Sequence, residues 1–374
     1  MDQSPQLVQT ANPDYALVQR WLAGEVALHL ISPDQPAPPV PTLPAGVTLA
    51  LQTSGSTGEP KTVLHTTASL VASARTTNDF LGDPGQWLLT LPTHHIAGFQ
   101  VLLRSVLAGI APEVLPGPFR ARTFAELAGS QQYVSLVPTQ LSRILPDDAA
   151  RAALATFSAV LVGGAGLPEP LAAAAAAANI KVVRTYGMSE TGGGLVYDGR
   201  PLPGAEVALD SDGRILLGGP FLAHSYLEDH HNSAFRTTGG GTRWLATNDW
   251  GSWQDGRLQV SGRLDNLINT GGEKIAPEAV ERALESLPEV AGAVVVGQKD
   301  SDWGQKVAAL VVWAGTARLP KEQLGAAVRA GLGPAAVPRV VVEATQLPLL
   351  PTGKIDRQAA AALLENPDPG RLVN

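Results

Sequence analysis

Residues 53–61 read Thr53-Ser54-Gly55-Ser56-Thr57-Gly58-Glu59-Pro60-Lys61, directly after the apolar run Val47-Thr48-Leu49-Ala50-Leu51. Glycines let a backbone turn tightly and bring its N–H groups close to an anion. The hydroxyls add donors, and Lys61 supplies a point charge suited to phosphate. A strand that delivers such a loop reads as a polyphosphate site. It is not a Walker loop, because only Ser56 and Thr57 separate Gly55 from Gly58 and Pro60 precedes the lysine. The plain alternative is a solvated Ser/Gly turn, and the ordered string after a strand weighs against it.

Further clusters follow along the chain. Val162-Gly163-Gly164-Ala165-Gly166 ends a strand-like run with consecutive glycines, where a flat ring can lie against bare backbone; a strand-to-helix turn fits equally well. Arg184-Thr185-Tyr186-Gly187-Met188-Ser189-Glu190-Thr191-Gly192 offers an aromatic face, hydroxyls and one carboxylate. Magnesium takes one or two carboxylates plus phosphate oxygens, a role open to Glu190, whose bland alternative is to cap the next element. Asp249, in Thr247-Asn248-Asp249-Trp250-Gly251, suits the vicinal hydroxyls of a ribose, and Gly262-Arg263-Leu264-Asp265 follows it. Leu350-Pro351-Thr352-Gly353-Lys354-Ile355-Asp356-Arg357 sets a lysine on a tight turn, which taken alone reads as solvated. The adjacent His94 and His95 do not read as a metal pair, since neighbours on a strand or helix face different ways and no third ligand is close by.

The elements that must position these residues alternate. Residues 86–91, 133–137, 158–162 and 181–183 are short, apolar and partly β-branched, while 99–107, 139–145 and the alanine-rich 169–178 read as helices. That alternation predicts βα units, with parallel sheets flanked by helices. Residues 33–46 are too proline-rich for regular helix or central strand and read as a stiff connector after a short helical N-terminal segment. From about Pro201 the texture becomes antiparallel: strand-like residues 204–209, 214–217, 244–246 and 257–261 are punctuated by Ser211-Asp212-Gly213 and Gln254-Asp255-Gly256. A last α+β unit has helices at 277–287 and 321–330 and strands at 292–296, 307–313 and 339–343.

A chain of 374 residues exceeds one ordinary core, which predicts two or more domains. Its net charge of −7 argues against a nucleic-acid partner. No apolar run reaches the roughly 18 residues of a membrane span. The opening Met1-Asp2-Gln3-Ser4-Pro5 carries no basic region followed by an apolar segment, so a cytoplasmic protein is expected. The absence of cysteine excludes disulfides, thiolate metal sites and a cysteine nucleophile.

Taken together, the strings from Thr53 to Arg357 resemble, in order, those of the adenylate-forming superfamily of acyl- and aryl-CoA synthetases, adenylation domains and luciferases. The resemblance implies an α/β fold. Residues 1–264 would form a large domain of βα-layered sheets plus a β-subdomain, and residues 265–374 a small mobile α+β domain hinged at Asp265. It implies ATP, Mg²⁺ and coenzyme A, a small-molecule carboxylic acid as the other partner, and possible homodimers. Thr53, Ser54, Gly55, Ser56, Thr57, Gly58 and Lys61 would grip the β- and γ-phosphates. Gly163, Gly164 and Ala165 would lie along adenine and the acyl group, with Tyr186 stacked on adenine. Gly187 would line the acid's pocket, Thr191 would bind the α-phosphate, Glu190 would hold magnesium, and Asp249 and Arg263 would take the ribose. Lys354 would bridge the carboxylate and the α-phosphate during adenylation, and the turn at Gly271 and Gly272 would line a thiol tunnel after the small domain rotates.

For the acid, the resemblance places His95 in the acyl site. Arg104 is unusual in a pocket meant for fatty acids, because burying a guanidinium is costly unless an anion pairs with it. The string from His95-Ile96-Ala97-Gly98 to Arg104-Ser105 is similar to o-succinylbenzoate–CoA ligases of menaquinone biosynthesis, whose substrate has a second carboxylate. Thr139 and Gln140 are further candidates for the pocket wall. The competing reading puts Arg104 at the helix surface, paired with a local acid.

Overall fold

The computed structural model describes residues 5–33, 38–53, 61–228, 233–238, 240–349, 355–365 and 367–373. Four sheets organise them. The largest runs in the order Arg200–Pro201, Gly193–Tyr197, Val182–Met188, Ala159–Val162, Tyr133–Leu136, Trp87–Leu89, Glu113–Val114. Its last five strands are parallel, as the βα alternation predicts, and a hairpin caps the other edge.

Both faces of the parallel strands are covered, and the side chains divide between them with a period of two. Trp87, Leu89, Tyr133, Ala159 and Leu161 join one core with the helices Thr67–Leu81 and Ile96–Ala108. Leu88, Val134, Leu136, Val160 and Val162 join a second core under the helices Ala121–Leu127, Pro138–Ile144, Asp148–Leu154 and Glu169–Ala177.

The first core also takes in the sheet Gln6–Thr10, Val26–Leu30, Leu49–Thr53, Lys61–His65, Ser225–Tyr226. The N-terminal segment is not simply helical: strands flank the helix Tyr15–Leu22, which starts at Asp14 with its carboxylate accepting from Leu17 N (2.8 Å). Val26–Leu30 is buried at every position. Such a run lacks alternation and cannot be told from helix by period.

The antiparallel subdomain joins Glu206–Leu209, Arg214–Gly218, Phe235–Thr237, Arg243–Gln254 and Arg257–Arg263. A fourth sheet, of Ile268–Thr270, Glu273–Ile275, Val290–Asp300, Gly304–Trp313 and Val340–Glu343, packs on the helices Pro277–Glu285, Lys321–Leu332 and Arg357–Glu365. Among the described residues each hydrophobic cluster lies wholly before residue 264 or wholly after it. No helix among them is long and apolar enough to cross a membrane.

Candidate active site

The loops that leave the carboxyl ends of the parallel strands converge on one cavity of about 2860 Å³, the side of an open α/β sheet where ligands gather. Its walls hold Thr53, Lys61, His95, Arg104, Thr139, Gln140, Gly163, Gly164, Ala165, Tyr186, Gly187, Glu190, Asp249 and Arg263. Residues far apart in sequence are thus brought together. Ser54, Gly55, Ser56, Thr57, Gly58 and Lys354 lie outside the described residues.

On one wall the backbone itself is the surface. A Cβ at Gly163 would sit 2.3 Å from Thr185 Oγ1, and one at Gly187 would sit 2.1 Å from the Gly193 carbonyl oxygen. Gly164 adopts φ +81°, which only glycine takes without strain. Beside this strip the Tyr186 hydroxyl donates to Asp249 Oδ2 at 2.8 Å, and Arg263 Nη1 lies 3.4 Å from Asp249 Oδ1. Burial, and then the Asp249 charge, push the Tyr186 phenol above its ordinary range. Burial also raises Asp249, with the Tyr186 hydrogen bond and Arg263 pulling the other way. Arg263 reaches on to Asp265 with bonds of 2.6 and 2.8 Å, so the ribose candidates and the hinge candidate share one ion network.

The strands Leu49–Thr53 and Lys61–His65 are antiparallel and in register at Thr53 and Lys61, the two residues that flank the glycine-rich string in sequence. Lys61 Nζ lies 5.9 Å from the centroid of the Tyr226 ring, and the Tyr226 hydroxyl donates to Glu190 Oε1 at 2.6 Å. Sequence reasoning missed Tyr226, since a tyrosine in a two-residue strand carries no periodic signal. Glu190 fits a magnesium ion whose other ligands are phosphate and water oxygens, because that ion needs only one or two carboxylates.

Thr191 departs from expectation. It is fully buried and is no part of the cavity wall. Its hydroxyl accepts from Met188 N (2.9 Å) and lies 2.7 Å from the Gly193 carbonyl, closing the turn instead of facing a ligand. The hydroxyl of a threonine at a tight turn is readily taken up by local backbone, which competes with ligand contact.

On the acyl side, Ile96, Gln100 and Arg104 recur every four residues along the helix Ile96–Ala108 and line the cavity together. Gly98 lets that helix press on the preceding loop, since a Cβ there would meet the Pro92 carbonyl at 2.2 Å. Arg104 is only 4% exposed, which overturns a surface position. Its guanidinium carbon lies 5.2 Å from the Trp87 ring centroid, and its Nε has no hydrogen-bond partner among the described residues. Burial lowers its pKa. Gln140 is a brace as well as a wall: its Oε1 accepts from Val137 N (3.0 Å) and its Nε2 donates to Thr90 O (3.1 Å).

The small unit closes the cavity with Glu278, Glu281, Glu285 and Arg357. Arg357 forms a two-pronged pair with Glu281, at 2.6 and 3.0 Å, and reaches Glu278 at 3.2 Å. The turn at Gly271 and Gly272 lies outside the cavity wall, with Gly271 packed against the exposed Trp303 indole.

Comparison with known proteins fits this arrangement. A model of the AMP-binding enzyme family matches residues 3–227, and a model of the AMP-binding enzyme C-terminal domain matches residues 279–354. The chain belongs to the AMP-binding enzyme family. Within this family it is similar to a probable 2-succinylbenzoate–CoA ligase of Mycobacterium tuberculosis, 44% identical over 326 residues, or 84% of this chain and 83% of that protein. It is 33% identical to the 2-succinylbenzoate–CoA ligase of Escherichia coli K12 over 269 residues, 69% of this chain and 57% of the relative. Among solved structures, o-succinylbenzoate CoA synthetase of Bacillus subtilis in complex with its acyl-adenylate intermediate superposes with a TM-score of 0.71 and 25% identity, over 92% of this chain and 80% of that one. An amide bond synthetase of Marinactinospora thermotolerans shares the fold at a TM-score of 0.77 and 24% identity, over 96% of this chain and 80% of that one. The fold is therefore that of the two-domain adenylate-forming enzymes.

Proposed function

We propose that this AMP-binding enzyme is an ATP-dependent ligase that activates 2-succinylbenzoate as its acyl-adenylate and transfers the acyl group to coenzyme A, a step of menaquinone biosynthesis in the cytoplasm. The observation that carries the substrate is Arg104, a buried cation on the acyl wall with no ion-pair partner among the described residues. A buried charge left unpaired is strongly unfavourable, so the acid itself supplies the counter-charge. A fatty acid has only the carboxylate that reacts. 2-Succinylbenzoate has two, and one stays anionic after the other is activated.

In the first half-reaction a carboxylate oxygen attacks the α-phosphorus, the bond to the pyrophosphate oxygen breaks, and pyrophosphate leaves. Negative charge approaches negative charge, so preorganised cations do most of the work. Lys61 and the glycine-rich string take the departing phosphates, and Lys354 bridges the two reacting groups. Mg²⁺, held through Glu190, offsets phosphate charge when bound. Asp249 and Arg263 orient the ribose, while Thr191 acts through the backbone turn it closes. In the second half-reaction the thiolate attacks the acyl carbon, and AMP leaves with the bridging oxygen.

Steady-state kinetics with an acid panel test the substrate. Arg104→Leu should lower kcat/KM for 2-succinylbenzoate about 100-fold, the usual scale for losing one partner of a buried charged pair. For a monocarboxylate analogue the change should be far smaller. An unchanged preference between the two acids removes Arg104 from the recognition of the second carboxylate.

A further inference from the structure

The strand Lys61–His65 carries Lys61 at one end and His65 at the other. His65 is fully buried and uses both ring nitrogens: Nε2 lies 2.8 Å from the Ser189 carbonyl oxygen and Nδ1 lies 3.0 Å from Ser69 Oγ. A carbonyl only accepts, so Nε2 carries the hydrogen, and the single Ser69 hydroxyl hydrogen is shared between Nδ1 of the neutral ring and the Thr66 carbonyl, which also lies 3.0 Å from Oγ. Ser69 belongs to the first turn of the helix Thr67–Leu81, and one turn later Ser73 donates to the Gly192 carbonyl at 2.9 Å. The backbone of Glu190 is held from the other side, its carbonyl accepting from Ala223 N at 2.8 Å. Residues 189–192 are thus clamped at both ends, with the Glu190 side chain on the cavity wall.

We propose that His65 is a positioning residue for adenylation, holding the Ser189 carbonyl and with it the backbone from which Glu190 presents its carboxylate. A single strand then fixes the spacing between Lys61, at its start, and Glu190 across the cavity. The inference rests on the reading that Glu190 faces the phosphates of a magnesium–nucleotide complex. A buried histidine is more often only part of a core, so the experiment must separate placement from stability.

Calorimetric titration with ATP, in magnesium and in chelator with no acid present, reads the magnesium-dependent gain in affinity without turnover. Removing a group that orients a metal ligand costs about 10- to 100-fold in metal affinity, so His65→Leu should erase about tenfold of that gain. ATP binding in chelator should stay as in the parent. His65→Gln keeps an N–H directed at Ser189 and should restore the gain to within about threefold. Glu190→Gln is the control for the underlying reading. If it abolishes the gain while His65→Leu preserves it, His65 has no positioning role and the assignment of Glu190 stands. If Glu190→Gln also preserves the gain, the assignment of Glu190 falls and the inference falls with it. Should His65→Leu fail to fold, Ser69→Ala serves instead: freeing the ring to rotate or change tautomer should reduce the gain about threefold, and an unaltered gain overturns the proposal.

Discussion

Arg357 is the place to test how the small unit is held together. Its guanidinium donates to both oxygens of Glu281 at 2.6 and 3.0 Å, to Glu278 Oε1 at 3.2 Å and to the Val295 carbonyl at 2.9 Å. The Arg357 side chain is 24% exposed and that of Glu281 is 9% exposed, so solvent screens the pair only partly. Arg357→Met leaves Glu281 with Val295 N, at 2.8 Å, as its remaining donor. Breaking a buried pair by removing one partner costs about 3–5 kcal/mol, and partial exposure of the arginine moves the expectation to about 2–3 kcal/mol. Glu281→Gln retains the Val295 contact and should cost about 1–2 kcal/mol, in line with loss of a charged hydrogen bond. The double variant should recover about 1–2 kcal/mol relative to the sum, as residues in one ion network do. Hydrogen exchange over the strand Val290–Asp300 and the helix Arg357–Glu365, followed through a urea series on the full chain, reads these energies locally. A coupling below about 0.5 kcal/mol is within the range of independent sites and would refute the network as a structural tie.

Two further outcomes are expected. Lys354→Ala should abolish pyrophosphate release yet leave thioesterification of a supplied acyl-adenylate largely intact; equal loss in both assays sinks its assigned role. Glu285 has its pKa raised from 4.5 to about 7, chiefly by burial, against the pull of its hydrogen bond from Ala293 N. Its folded value lies above its unfolded one, so its contribution is fully favourable below about pH 4.5 and is lost as pH rises through about 7. Glu285→Gln keeps an acceptor for Ala293 N and removes the ionisation. Because the group is partly exposed, the variant should gain about 1–2 kcal/mol over the parent at pH 8 and nothing at about pH 4, read by thermal unfolding. A gain independent of pH counts against that assignment.

The sequence made some of this legible and hid the rest for physical reasons. The parallel strands could be read because Tyr133–Leu136 and Ala159–Val162 are short apolar runs between helix-like stretches, buried on both faces. Arg104 stood out because a charge interrupts an apolar helix. The strand Arg243–Gln254 was seen only at its apolar start, since Thr247, Asn248 and Asp249, which line the cavity, give no strand period. The pairing of Tyr226 with Glu190 joins residues 36 apart, and that of His65 with Ser189 joins residues 124 apart. Contacts of this kind are set by how sheets stack and leave no local pattern. Thr191 was read from its residue type alone, and its hydroxyl suits a phosphate as well as it suits the turn that uses it.

The separation of the hydrophobic clusters on either side of residue 264 has a thermodynamic consequence. Contacts between the units are polar, such as Arg282 Nη2 to the Ser261 carbonyl at 3.2 Å and Asn248 Nδ2 to Asp265 Oδ2 at 3.3 Å. Turning one unit against the other therefore exchanges protein hydrogen bonds for hydrogen bonds to water, a nearly even trade, and exposes little apolar surface. No apolar core would have to be opened to turn such a joint. Reversing a 99:1 preference takes about 5.5 kcal/mol of differential affinity, whereas a balanced joint responds to far less. A turn about the hinge proposed at Asp265 would then need little more than the differential binding of pyrophosphate and of the thiol.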